Sequence, residues 1–302
     1  MELGIALPQY GRYASPDAIV QVAQAAEQLD YAAVWVVERL LRPTRSFEMP
    51  GQPPSPLPTY YATVYDPIET LTYVAAKTER IKLGTSIINA PFHVPVVLAR
   101  RFATLDQLSG GRVIAGLGQG WMEDEFITAN VPIKRRGAGF EEFVAALRAS
   151  WGPDPVHFHG RFYHIPESEI GPKPAQPNGP PVILAVSSPG ALERAARIGD
   201  GLNPIAFTWE VLEQSVLQFR SLAQAAGRDP AVLPIIVRAN TDISAEPRAE
   251  RQPLSGSLAQ IGEDLVRLRV LEIDQVFFDL NMSETPIREQ VVLMEQLRAL
   301  AS

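Results

Sequence analysis

The sequence predicts an α/β protein, a single (β/α)8 TIM barrel over residues 1–302 with insertions after strand 2 and between strands 4 and 5. Three observations carry this expectation. Short apolar runs rich in β-branched residues alternate eight times with helical patterns, which favours a barrel over a doubly wound sheet. The chain has 302 residues, a length at which α/β barrels form one domain. Hydrophobic residues make up 46% and charged residues 20%, enough for a large core.

Each strand–helix pair has its own local signals. Leu3 to Leu7 reads as the first strand, and Pro8 to Tyr13 leaves it as a loop. Ser15-Pro16-Asp17 opens a helix: Ser15 can cap it, Pro16 suits its first turn, and Asp17 complements the dipole. Ile19, Val22, Ala26 and Leu29 then recur at helical spacing. Ala33 to Val37 is the second strand. Residues Arg42 to Tyr65 interrupt the alternation; Pro50, Pro53, Pro54, Pro56 and Pro58 forbid regular helix, so a long loop is expected. Loops of that length in compact domains are usually functional or disordered. Asp66-Pro67-Ile68-Glu69 has capping-box form and restarts the helical pattern. Ile81 to Ile88 is the third strand; its helix places Leu98, Phe102 and Leu105 on one face and ends at Gly110-Gly111.

Val113 to Leu117 is the fourth strand, and Phe140 to Trp151 is part of the next helix. A second Pro-rich insertion covers Pro153 to Pro181, with a small hairpin expected over Phe158 to Ile165 around Gly160. Val182 to Val186 is the fifth strand, followed by a helix over Pro189 to Ile198. Gly201 to Ile205 is a short sixth strand before a helix through Ala226. Leu233 to Arg238 is the seventh, with a helix over Ser257 to Val270. Asp274 to Leu280 is the eighth, and Ile287, Val291, Met294 and Leu297 mark the closing helix.

Composition removes several function classes. The net charge of −7 argues against nonspecific nucleic-acid binding. With no cysteine, disulfides, thiolate nucleophiles and Cys-ligated metals are excluded. Met1 to Tyr10 lacks the form of a signal peptide, and no stretch approaches a bilayer-spanning length. The expectation is a cytoplasmic protein acting on a small molecule, with no nucleic-acid or membrane partner.

A barrel carries its site at the C-terminal ends of its strands. The candidates are Gln9-Tyr10, Glu38-Arg39, Ser86 to Asn89, Gly118 to Trp121, Ser187 to Gly190, Arg238 to Asn240 and Asp279 to Met282. Gly116-Leu117-Gly118-Gln119-Gly120-Trp121 is not a dinucleotide fingerprint, because Trp121 stands where Gly or Ala belongs. Its glycines either let a flat ring approach the backbone or make a tight turn, and the motif alone does not separate the two. Ser187-Ser188-Pro189-Gly190 opens a helix, so it is either a phosphate cradle or a helix cap with Pro189 in the first turn; caps are the commoner case. Glu38 and Arg39 either pair as a rim salt bridge or contact a ligand. Arg39 stays protonated, so it suits an electrostatic clamp rather than acid–base work. His157, His159 and His164 read as surface hairpin residues rather than a metal site; His93 is nearer the expected site, with Phe92-His93-Val94-Pro95 as a simple turn the alternative.

Together these pieces resemble the luciferase-like monooxygenase superfamily, in particular its F420-dependent (deazaflavin) oxidoreductase branch. The resemblance rests on Leu3-Gly4-Ile5-Ala6-Leu7-Pro8, Ala33 through Arg39, and Ile81 through Ile87. Most specific is the run from Leu98 through Ala103-Thr104-Leu105-Asp106 and Leu108-Ser109-Gly110-Gly111-Arg112 to Trp121 and Glu125-Phe126. It implies a reduced flavin or deazaflavin bound at the strand ends. It implies a cis, non-proline peptide at Ser86-Ile87, with Asn89, Gly118 and Gln119 near the ring. Ser187, Ser188 and Gly190 are then expected near the phosphate. Many relatives form dimers, so a homodimer is expected, with no interface legible.

Two departures matter. Many relatives carry His where this chain has Arg39, and the sugar-phosphate dehydrogenases of the deazaflavin branch use that His and a Glu aligned with Trp121. Their reaction is therefore not expected here, and the proton must come from solvent or another residue. The resulting expectation is hydride transfer between coenzyme F420 and a small organic substrate, reducing an activated C=C, C=N or C=O bond. Glu38 and Arg39 orient the ring or polarise the acceptor, and Tyr10, Tyr60, Trp121 and Arg238 form the substrate wall. The alternatives are an FMN-dependent monooxygenase and a noncatalytic flavin- or deazaflavin-binding protein. No metal is expected.

Overall fold

The computed structural model describes residues 1–49, 52–283 and 285–301. Eight parallel strands follow one another around a nearly closed barrel: β1 (Glu2–Ala6), β2 (Ala33–Val36), β3 (Lys82–Thr85), β4 (Val113–Gly118), β5 (Val182–Leu184), β6 (Gly201–Leu202), β7 (Ile236–Asn240) and β8 (Gln275–Asp279). The spatial order is 6-5-4-3-2-1-8-7. The ring closes between β6 and β7 through bridges Leu202–Ile235 and Ile205–Arg238. The helices are α1 (Pro16–Gln28), α2 (Pro67–Ala75), α3 (Pro95–Ser109), α4 (Ala138–Trp151), α5 (Pro189–Ile198), α6 (Trp209–Ala225), α7 (Leu258–Val270) and α8 (Ile287–Leu300). A short helix, Glu123–Thr128, precedes α4. The expected (β/α)8 architecture is the observed one. Among the described residues, no helix is long and apolar enough to cross a membrane.

Local chemistry sets the boundaries. Ser15 accepts the Ala18 N–H at 3.2 Å, and Gly110, at φ 69°, ends α3. Ser257 and Gln260 form a reciprocal capping box at α7. At α2, Asp66 caps the Ile68 N–H at 3.0 Å, but Glu69 turns outward to Arg101 at 2.6 Å, so the expected box is only half made. Strand β7 begins three residues later than expected, because Pro234 has no N–H to pair and contributes only a carbonyl, which accepts the Leu202 N–H at 2.9 Å.

Two apolar layers hold the barrel. The larger lies between strands and helices. The smaller fills the barrel with Ala6, Ala33, Trp35, Ile114, Ile183, Ile236 and Phe277. Trp35 stacks on Phe277 at 4.9 Å, and its indole N–H reaches Gln275 at 3.0 Å. A Cβ on Gly4 or Gly84 would run into Trp35, so those glycines make room for it.

The first insertion differs from the expected loop. Ser46–Met49 and Gln52–Pro56 pair antiparallel, then Thr59–Ala62 makes a 3-10 turn. Prolines forbid interior helix, but an isolated two-stranded ribbon tolerates them, since each strand is an edge. Pro50, one of the prolines behind the loop expectation, lies outside the described residues. The second insertion holds the expected hairpin, Val156–His159 with His164–Ser168.

Candidate active site

Strand β3 stops at Thr85, passes through a cis Ser86–Ile87 peptide, and resumes pairing at Ile88 and Asn89 against Leu117 and Gly118. Neighbouring strands fix this bulge from several sides. Ser86 N–H donates to Val36 at 2.7 Å, and its hydroxyl to Asn203 at 2.6 Å. Arg238 donates to the Ser86 carbonyl at 3.1 Å. Glu38 N–H donates to Ile87 at 3.1 Å, and the Glu38 carboxylate accepts Asn89 N–H at 2.7 Å.

The glycine run answers to the bulge. A Cβ on Gly116 would overlap the Thr85 carbonyl, and one on Gly118 would overlap the Ile87 side chain. Gly120, at φ 72°, makes the turn under Phe92 and Phe126. Two of the three glycines therefore accommodate strand β3, and the third is the tight turn.

Glu38 and Arg39 do not pair with each other. Glu38 bridges Asn89 and His93, whose Nε2 lies 2.7 Å from its Oε1. Arg39 reaches Glu125 at 3.1 Å, with Tyr61 and Trp121 rings 5.0 and 5.2 Å from its guanidinium. Its Nε is buried without a hydrogen bond. Burial pushes the Glu125 carboxyl above its ordinary range, against Arg39 and the Leu40 N–H, which pull it down.

A second network lies behind the Ser86 carbonyl. Tyr10 donates to Asp279 at 2.8 Å, and Arg238 donates to the same oxygen at 2.7 Å and to Asn240 at 3.1 Å. Tyr10 stacks on Tyr61 at 5.6 Å, and Tyr60 and Tyr61 meet at 4.6 Å. Burial pushes all three phenols up, Tyr60 to about 12. Tyr10 and Arg238 are therefore buried supports, whereas Tyr60 is half-buried and Trp121 exposed.

At the end of β5, Ser188 caps α5 by accepting the Ala191 N–H at 3.3 Å, which is the ordinary helix role. Ser187 and Gly190 are exposed, and nothing lies within 4 Å of a Cβ built on Gly190. Arg194, one turn further, meets Gln119 at 3.4 Å, and its Nε is ion-paired with Glu141 at 3.7 Å. Open space, a helix N-terminus and the exposed Ser187 fit an anionic group. The residues present thus suit a phosphate-bearing ring cofactor.

Sequence reasoning passed over Glu125, Asp279 as an ion-pair partner, Asn203, Tyr61, Arg194 and the role of His93. The spacing from Gly190 to Arg194, one helical turn, the strand-end place of Asp279 and the nearness of His93 to the third strand's end carried signals; the others meet through the barrel. His159 and His164 face each other at 2.9 Å on the exposed hairpin, and no three-residue metal-binding group occurs among the described residues.

The sequence profile described as luciferase-like monooxygenase matches residues 1–269. An uncharacterized Mycobacterium tuberculosis protein is 32% identical over 231 residues, covering 76% of this chain and 80% of its own. An F420-dependent glucose-6-phosphate dehydrogenase of Amycolatopsis mediterranei is 33% identical over 190 residues, or 62% of this chain and 52% of that one. Among solved structures, the monooxygenase RslO1 from Streptomyces bottropensis superposes with a TM-score of 0.84 at 23% identity, covering 99% of this chain and 98% of that one.

Proposed function

This chain belongs to the luciferase-like monooxygenase family and is a flavin- or deazaflavin-type oxidoreductase; from that premise we propose that it transfers hydride between coenzyme F420 and a small organic substrate, reducing an activated C=C, C=N or C=O bond. The observation that carries this reading is the Ser86–Asn89 bulge, pinned into the barrel mouth from β2, β7 and Asn203. Ile87, Asn89, Gly118 and Gln119 would hold the ring, with Ser86 fixing the bulge behind it. Ser187, Gly190 and Arg194 would hold the phosphate, with Ser188 setting the helix end. The bound ring supplies the hydride; the protein supplies orientation, exclusion of water and charge.

Arg39, fixed by Glu125 and two rings, would present a permanent cation to the acceptor. Tyr60 and Trp121 would form the substrate wall, backed by Tyr10 and Arg238. The relatives named as F420-dependent dehydrogenases support the deazaflavin. An FMN-dependent monooxygenase is the second reading, supported by an FMNH2-dependent dimethylsulfone monooxygenase of Pseudomonas putida, 32% identical over 155 residues. Titrating the apo-protein with oxidised F420 and separately with FMN, read by fluorescence quenching, tests both. Quenching by F420 alone is expected; preference for FMN would replace the reductase by the monooxygenase.

A further inference from the structure

We propose that His93, held by Glu38, is the proton-transfer group of this site. The proposal rests on the hydride-transfer reading above. Position Arg39 cannot release a proton, so the reaction needs another donor. Of the other carboxylates around the rim, Glu123 is exposed to solvent and the rest named here are committed. Glu125, Asp279 and Asp124 are ion-paired with Arg39, Arg238 and Arg45. The Tyr10 hydroxyl is buried against Asp279. The phenols of Tyr10, Tyr60 and Tyr61 hold their protons far above neutral pH.

His93 differs from all of these. It follows the bulge by four residues, at the C-terminal end of the turn Ala90–Phe92 that leads from β3 to α3. Its Nε2 is 2.7 Å from Glu38 Oε1, and the other Glu38 oxygen is fixed by Asn89 N–H at 2.7 Å. The carboxylate therefore cannot swing away, and it orients the ring, whose Nδ1 makes no hydrogen bond among the described residues. The side chain is 17% exposed, against 5% for Glu38, so its open edge can refill from solvent. A carboxylate that fixes the tautomer and balances imidazolium charge is a common arrangement for general acid catalysis.

The step balances. Substrate receives hydride on one atom of its double bond, and the displaced π pair moves to the neighbouring atom. That atom takes the Nδ1 proton of the His93 imidazolium, and the neutral ring regains a proton from water. Both electrons come from the reduced flavin or deazaflavin.

The test uses 15N-histidine-labelled full-length protein, loaded with whichever of F420 and FMN quenches. This chain has four histidines, and His157, His159 and His164 lie on the hairpin of the second insertion as internal controls. Loading should move the ring resonances of His93 and leave those three in place. Glu38→Gln should redistribute the proton between the two ring nitrogens of His93. With the reduced cofactor and cyclohex-2-enone as probe, His93→Ala should lose roughly 10²–10⁴-fold in rate, keep its cofactor quenching, and regain rate with added imidazole. His93 resonances indifferent to loading overturn the proposal, whether or not the enone is turned over. A His93→Ala enzyme as fast as wild type also overturns it. Quenching by neither cofactor is a different failure: it removes the cofactor reading, and this proposal with it.

Discussion

Arg238 and Asp279 have side-chain exposures of 10% and 0%, so each would be an isolated buried charge without the other. Arg238→Leu is expected to cost about 3–5 kcal/mol in urea unfolding, the usual result of orphaning a buried partner. Tyr10→Phe should cost far less, about 0.5–1.5 kcal/mol, because Asp279 keeps Arg238 and the Asn281 amides. Equal losses for the two variants would contradict this ordering. Gly116→Ala should be badly tolerated for another reason: the added Cβ overlaps backbone, the Thr85 carbonyl, which has no rotamer by which to escape. These residues were legible only in part. Arg238 was visible as a strand-end residue, but its partner Asp279 is 41 positions away in sequence.

At the scale of elements, the turn Thr59–Ala62 brings Tyr60 and Tyr61 against Tyr10, and so turns a proline-rich connection into a wall of the site. Tyr60→Ala should change the range of acceptors reduced while leaving cofactor quenching within about twofold, as for substitutions away from a contact. Loss of quenching would place this turn at the cofactor instead. The α7 capping box offers a control far from the chemistry: Ser257→Ala should lower stability by about 1 kcal/mol and leave cofactor binding alone. Helix starts were readable from sequence because a cap is a local event of three or four residues. The hairpin in the first insertion was not, because its pairing of Phe47 with Ser55 depends on cross-strand geometry rather than on any periodic pattern.

Across the whole molecule, buried phenols make stability sensitive to alkali. Tyr10, Tyr31, Tyr60 and Tyr61 all titrate above their ordinary range in the fold, chiefly through burial. The native chain therefore keeps protons that the unfolded chain surrenders near pH 10. Their contribution is complete below about pH 10 and is lost as pH rises through the raised native values, about 12 for Tyr60. Urea midpoints should hold steady approaching that pH and fall beyond it; a rise there would refute the assignment. Binding of the proposed cofactor should act in the opposite direction, adding about 2.7 kcal/mol at a hundredfold excess over Kd, measured as a higher Tm.

The order of strands and helices belongs to the sequence alone, because hydrophobic period, caps and breakers act over a few neighbouring residues. The glycines of β1, β3 and β4 were equally visible, and so was the likeness that placed Ser86–Ile87 at the end of the third strand. Only the closed barrel decided what those residues meet. It set Trp35 between Gly4 and Gly84, turned Glu38 to His93 rather than to Arg39, and gave Arg39 to Glu125, 86 positions on. The physical reason is the ring itself: it brings the C-terminal ends of eight separated strands within hydrogen-bonding reach, and no local rule specifies which side chains meet there.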